Sequence, residues 1–244
     1  MIAAAPPVEA RRDTVPIWFW ALDDKAPSAF CRRVEAPSWD EVATNYPAPV
    51  AERLAQLIAL RDLPALGRLI LLHGPTGTGK TSFLRALAGE WADWCDMHYV
   101  VDPDALFMNQ TYMLQLLLHQ DPDRARLVVI EDVDALISTR LAFGPDSVSR
   151  LLNLADGLPG HGQRFLLALT TNLGRECVNP ALLRPGRCAA HVEMRPFSAR
   201  EASGFLGRPR DGEATLAELL EARGDITQIA DPDPAVLTAT GQYL

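Results

Sequence analysis

Lysine is almost absent from this chain. Only Lys25 and Lys80 occur, within a total of 23 basic residues in 244. Arginine carries the positive charge elsewhere, so a retained lysine marks a position that a rigid guanidinium fork does not serve. Cysteine is scarce too: Cys31, Cys95, Cys177 and Cys188, with no CxxC spacing. That pattern suggests neither a zinc site nor a disulfide framework. Free thiols in a reducing compartment are expected, hence a cytoplasmic location. No run approaches about 18 consecutive apolar residues, so no transmembrane helix is expected. The start, Met1-Ile2-Ala3-Ala4-Ala5-Pro6-Pro7, lacks the basic and apolar regions of a signal peptide. Net charge is −8, which argues against a nucleic-acid-binding surface. There is no internal repeat and no Asn-Lys-x-Asp segment of the kind that reads guanine.

What is present suits one large α/β domain, with or without a small appendage: 48% of residues are hydrophobic and 22% charged. Lys80 closes the segment Gly74-Pro75-Thr76-Gly77-Thr78-Gly79-Lys80-Thr81, followed by Ser82. This is a complete phosphate-binding loop. Its glycines let backbone N–H groups converge on phosphate oxygens, Lys80 reaches the β- and γ-phosphates, and the Thr81 hydroxyl ligates Mg²⁺. The flanks agree. Residues 68–73 form a short apolar run, read as a buried parallel strand. Residues 81–90 carry Phe83, Leu84, Leu87 and Ala88 at helical spacing, so a helix N-terminus points at the phosphates.

Further strands are predicted over 96–101, 127–130, 165–170 and 191–194. Helical patterns cover 103–120, 147–154, 199–206 and 216–222, and Val50, Leu54, Leu57 and Ile58 share one helical face. Strands alternating with helices predict a parallel sheet with right-handed crossovers. Residues 1–12 read as a poorly ordered tail. The aromatic run Val15-Pro16-Ile17-Trp18-Phe19-Trp20-Ala21-Leu22 is either a partner-binding strand or, preferably, packing on the flank of the core. The division expected is 1–38 tail and flanking segment, 39–197 nucleotide-binding core, and 198–244 short helical lid.

Glu131 and Asp132 follow four apolar residues at the predicted C-terminal end of a strand, where ligands bind in open parallel sheets. Phosphoryl transfer needs a carboxylate near Mg²⁺ and a group that orients the attacking water.

With these residues in place, the chain resembles the AAA+ ATPases from Trp39 to about Met194. Gly74–Thr81 looks like Walker A and Val128–Asp132 like Walker B. Leu151-Leu152-Asn153-Leu154-Ala155-Asp156-Gly157-Leu158 is similar to the inter-subunit signalling segment. Thr170-Thr171-Asn172 is similar to the sensor-1 strand, and Asn179-Pro180-Ala181-Leu182-Leu183-Arg184-Pro185-Gly186-Arg187 to the arginine-finger segment. The resemblance implies that Asn172 holds the attacking water or the γ-phosphate. It implies that Arg184 and Arg187 reach the γ-phosphate of a neighbouring subunit. It also sets Val42 to Thr44 near the adenine.

Several departures stand out. The usual Asp-Glu pair is inverted to Glu131-Asp132, similar to the mitochondrial Rieske-protein translocase branch. On this reading Glu131, with Thr81, serves the metal and Asp132 the water. Asp132 is one methylene shorter than the usual Glu, and a misplacement of ~1 Å can cost ~100-fold in rate. The Phe-Asp-Arg that usually follows the fingers is Cys188-Ala189-Ala190. No sensor-2 arginine is evident. The pore-loop region holds Leu106-Phe107-Met108-Asn109 with Tyr112 nearby, equally readable as helix core.

The expectation is a Mg²⁺-dependent ATPase that forms a homo-oligomeric ring and remodels a protein client, without membrane or nucleic-acid binding. The alternative is a nucleotide-gated binding or adaptor module with little turnover. A loader-type adaptor acting on DNA is disfavoured by the acidic balance.

Overall fold

The computed structural model describes residues 14–23, 26–119, 123–138, 163–184 and 186–226. The helical pattern over 147–154 and the signalling-like segment Leu151–Leu158 lie outside them.

A seven-stranded sheet organises the chain: β1 (Thr14–Leu22), β2 (Pro27–Glu35), β3 (Leu69–His73), β4 (Cys95–Val100), β5 (Ala125–Ile130), β6 (Phe165–Thr171) and β7 (Cys188–Glu193). Their order is β2-β1-β4-β5-β6-β3-β7. Every pairing is parallel except the β1–β2 hairpin. The central strands are buried along their whole length, which is why they read as continuous apolar runs rather than alternating ones. Alternation still sorts their side chains. Ile70, Leu72, Val129, Leu166 and Ala168 face one core, with α2 (Ala48–Ile58) and α3 (Lys80–Glu90). Leu69, Leu71, Val128, Ile130, Leu167 and Leu169 face the other, with α4 (Pro103–Met108), α5 (Gln110–Leu118) and α6 (Asp134–Ile137). The helical pattern over 103–120 is thus two helices. Asn109 ends the first and caps the second, its Oδ1 accepting from Tyr112 N at 3.0 Å.

The aromatic run is β1, and it lies parallel to β4 with Ile17 opposite Met97 and Trp20 opposite Val100. The flank packing expected from the sequence is therefore backbone pairing. β2, for which the sequence offers no alternating apolar pattern, completes the hairpin. The last core strand begins at Cys188 rather than His191.

α1 (Trp39–Val42) precedes α2, separated from it by a short 3₁₀ turn over Ala43–Asn45. Where the sequence predicts a lid, the described residues hold α7 (Ala199–Leu206) and α8 (Leu216–Arg223). Each starts with a capping box, Ser198 with Glu201 and Thr215 with Glu218. Phe197, Ala202, Ala214, Leu216 and Leu219 form a small core of their own.

Candidate active site

The site lies at the C-terminal ends of β3, β5 and β6. β3 runs into the glycine-rich loop, whose backbone leaves no room for side chains at two points. Gly74 has φ 141°, and a Cβ there would sit 2.3 Å from the Met194 carbonyl oxygen. Gly79 caps α3 at φ 90°, and a Cβ would press on Tyr46 at 3.0 Å. Tyr46 in turn donates from its hydroxyl to the Gly79 carbonyl at 3.0 Å and stacks on Trp39, with ring centroids 6.0 Å apart. The loop is thus held from the side of α1.

Lys80 is buried, and its Nζ donates to Gly74 O at 2.7 Å, Pro75 O at 3.0 Å and Asn172 Oδ1 at 2.8 Å. Burial lowers its pKa, while Asp132, Asp134 and Glu131 act in the opposite direction. Thr78 is bound through its hydroxyl to Pro75 O at 2.8 Å. The Thr81 hydroxyl donates to Glu131 Oε1 at 2.7 Å. Burial raises the pKa of Glu131, an effect opposed by hydrogen bonds from Thr81 and Tyr99. Tyr99 itself is pushed up to about 12 by burial and by Glu131, so it stays a donor.

Asp132 has φ 54°, the one positive φ at a non-glycine among the described residues. Its N–H donates to Thr170 Oγ1 at 3.1 Å, which holds the turn. Its Oδ1 accepts from Asn172 Nδ2 at 3.2 Å. Glu131 and Asp132 therefore point to different neighbours, the first to Thr81 and the second to Asn172. Asp134 anchors this end of β6, since one Oδ1 accepts from Thr171 Oγ1 at 2.5 Å and from Asn172 N at 2.8 Å.

Lys80, Thr81, Glu131, Asp132, Thr170 and Asn172 line a cavity of about 440 Å³ with the loop and with Leu216, Ala217, Leu220 and Ile226 from the C-terminal helices. The Ala217 N–H donates to Gly77 O at 3.0 Å, tying the start of α8 to the loop. The lining combines polar groups of the loop and strand ends with aliphatic side chains near α8. The hydroxyl of Thr81 and the carboxylate of Glu131 are hard oxygen donors side by side, which fits Mg²⁺. The converging loop, with Lys80 and the N-terminus of α3, fits a polyphosphate.

The sequence expectations divide here. Gly77, Gly79, Lys80, Thr81, Glu131, Asp132 and Asn172 meet in the one cavity. Arg184 and Arg187 do not line it. Arg184 is exposed, and Arg187 Nη1 donates to Ala181 O at 3.2 Å. The Arg187 carbonyl accepts from Arg68 N and Leu69 N, at the opposite end of β3 from the loop. Val42 to Thr44 does not line the cavity either; Val42 is buried in the core. Leu106, Phe107 and Tyr112 are core residues, while Met108 is 78% exposed. Sequence reading missed Thr170, Asp134, Tyr99, Tyr46 and the lid leucines. Asp134 had a visible signal as the third acid of Glu131-Asp132-Val133-Asp134, and Thr170 had one as part of Thr170-Thr171-Asn172.

A mostly parallel sheet with a glycine-rich loop at a helix N-terminus, and an acid pair at the end of a strand one place removed from it, defines a P-loop nucleoside-triphosphatase fold. The ATPase family associated with various cellular activities (AAA) matches residues 70–196, more than half of the chain, and the chain belongs to it. A Domain of unknown function (DUF5925) matches residues 2–59, which include β1, β2, α1 and α2. The chain is similar to AAA-ATPase At2g18193 of Arabidopsis thaliana, 31% identical over 232 residues, 84% of this chain and 44% of that protein. It is similar to mitochondrial chaperone BCS1 of Bos taurus, 33% over 159 residues, 61% of this chain and 36% of that one. The probable mitochondrial chaperone bcs1 of Schizosaccharomyces pombe is 38% identical over 147 residues, 55% of this chain and 30% of its own length. This chain thus spans less than half of each of these relatives.

Proposed function

We propose that this chain is a Mg²⁺-dependent ATPase that assembles into a closed ring and uses hydrolysis to remodel a protein client. The observation that carries this reading is the gathering of Lys80, the Thr81–Glu131 pair and the Asp132–Asn172 pair around one cavity. Bound Mg²⁺ would neutralise charge on the β- and γ-phosphates.

The protein's own groups do the rest. The loop N–H groups and Lys80 hold the phosphates in place of the Gly74 and Pro75 carbonyls that now occupy Nζ. Thr81 and Glu131 would hold the metal, the Thr81 hydroxyl donating its hydrogen bond to Glu131 so that its lone pair is free for the cation. Asp132 and Asn172 share the attacking water, the carboxylate accepting its proton and the amide orienting its oxygen. Leu216, Leu220 and Ile226 exclude solvent from the base end.

The ring rests on the position of the fingers. From Leu69 to Gly74 a strand rises about 16 Å, more than an arginine side chain spans. Arg184 and Arg187 therefore suit a neighbour's site better than their own. A subunit that completes its neighbour's site makes a heterologous contact, and closing such contacts gives a ring. The four free cysteines suit a reducing compartment, in keeping with a cytoplasmic location.

One observation favours the second reading, a nucleotide-gated module with little turnover: the shorter Asp132 is already bound to Asn172. Steady-state phosphate release across protein concentration tests both. The ATPase reading expects turnover per subunit to rise with concentration and then saturate. Tight ATP binding without release at any concentration overturns it in favour of the gated module.

A further inference from the structure

The hairpin that precedes the AAA match is built into the metal side of the site. Tyr99 stands opposite Val129 in the β4–β5 register, so Glu131, two residues on, shares its face at diagonal distance. With strands about 4.8 Å apart and a rise of about 3.3 Å per residue, the two positions lie roughly 8 Å apart, within reach of an aromatic side chain. The Tyr99 hydroxyl acts on Glu131 so as to favour its charged carboxylate, and Glu131 in turn raises the Tyr99 pKa. On the other side, Tyr99 is paired with Phe19 of β1, and their ring centroids are 5.6 Å apart. Phe19 is paired in turn with Phe30 of β2 and stacked on it at 5.5 Å. Three aromatic rings therefore run across β2, β1 and β4 to the carboxylate. Glu131 then has two supports, Thr81 from the loop and Tyr99 from the sheet. With the Thr81 lone pair turned to a metal, Tyr99 adds a second hold on the carboxylate from the sheet side.

We propose that Tyr99 is a positioning residue for Glu131, and that the β1–β2 hairpin acts in nucleotide binding by holding Tyr99 in place through Phe19 and Phe30. Single aromatic pairs contribute modestly beyond their burial. That is enough to bias one carboxylate orientation without being required for the fold. The hairpin thereby sets how well the site takes a metal, and not whether it takes a nucleotide. The chemistry recognised is the divalent cation of a metal–nucleoside triphosphate. The inference rests on the ATP-binding reading above.

The test uses the full chain and a fluorescent ATP analogue, titrated with and without Mg²⁺, in wild type, Tyr99→Phe, Phe19→Leu and, as reference, Glu131→Gln. Wild type is expected to bind more tightly with Mg²⁺. Tyr99→Phe should keep its Mg²⁺-free affinity within twofold and its melting temperature, yet lose three- to tenfold of the Mg²⁺ gain. Phe19→Leu should lose a smaller part in the same direction, and Glu131→Gln most of it. Electron paramagnetic resonance of Mn²⁺ with the analogue should show the same ranking without any turnover. If Tyr99→Phe matches wild type in its Mg²⁺ gain, the positioning role is overturned while the site assignment stands. If wild type binds no analogue at all, the ATP-binding reading falls and takes this inference with it.

Discussion

At the scale of single residues, the site separates binding from turnover. Lys80 is the buried cation of the loop, with three acceptors at 2.7–3.0 Å. Lys80→Ala should abolish tight ATP binding, measured by equilibrium titration with a fluorescent analogue, while leaving the melting temperature of the free protein near wild type. Glu131 and Asp132 should respond differently because they face different partners. Asp132→Asn should preserve binding and slow phosphate release by about 100-fold or more. Glu131→Gln should shift the Mg²⁺ concentration for half-maximal turnover upward. The opposite pairing of effects would assign the water to Glu131.

His98 gives a residue-scale pH effect away from the site. It is buried, accepts from Trp20 Nε1 at 2.9 Å through Nδ1, and is held neutral down to about pH 3 by burial, with Arg126 and His119 adding to the effect. Unfolded histidine takes its proton near 6.5. Between those values the unfolded chain binds one more proton than the folded one. The contribution is therefore complete above pH 6.5, and stability falls by about 1.4 kcal/mol per pH unit below it. Urea midpoints for wild type and His98→Gln should differ in slope between pH 6.5 and 5, with the variant flatter.

At the scale of elements, termini do most of the positioning. α3 begins at the loop, α8 is tied to Gly77, and α5 ends on a buried arginine. Arg126 of β5 is 2% exposed and donates to the Leu116 and Leu117 carbonyls at 2.8 Å each. These are final-turn carbonyls of a helix, which have no partner within it. Arg126→Met would strand two buried acceptors, at roughly 1–3 kcal/mol each. A loss of about 2–4 kcal/mol in the urea unfolding free energy is expected, with nucleotide affinity close to wild type in the folded fraction. An unchanged midpoint would show that the α5 end finds other partners. The pattern over 103–120 made a helix legible there, but not its division at Asn109. A side-chain cap and a buried arginine across the sheet are contacts that periodicity does not encode.

At the scale of the whole molecule, the fingers and the loop occupy opposite ends of β3, so the shared site proposed above would take its fingers from a second copy. Arg184→Ala should still bind ATP yet show little turnover by itself. Mixed with Lys80→Ala, it should recover part of the wild-type rate, because some interfaces then pair an intact pocket with intact fingers. Phosphate release from the two variants, alone and mixed, checks this. Mixing that restores nothing, together with turnover that is flat on dilution, would show that each subunit acts alone.

Legibility followed how local each cause is. The loop, Glu131-Asp132 and the apolar central strands were readable because their chemistry sits in a few consecutive residues. Phosphates need glycines and a lysine at fixed spacing, and a strand buried on both faces needs an unbroken apolar run. Which strand lies beside which was not local. β1 joins the sheet next to β4 although β2, β3 and the first three helices lie between them in the chain, and β2 (Pro27–Glu35) carries Arg32 and Arg33 among its residues. Nothing in its own pattern marks it as a strand; its partner β1 makes it one. The same holds for Tyr99, Thr170 and Asp134. Each is an ordinary residue in its own segment and acquires a place at the site only through hydrogen bonds to a neighbouring strand. The sequence alone picked out the loop and the acid pair that line the cavity. Tertiary structure decided what holds those groups, because register between distant strands is set by burial across the whole sheet.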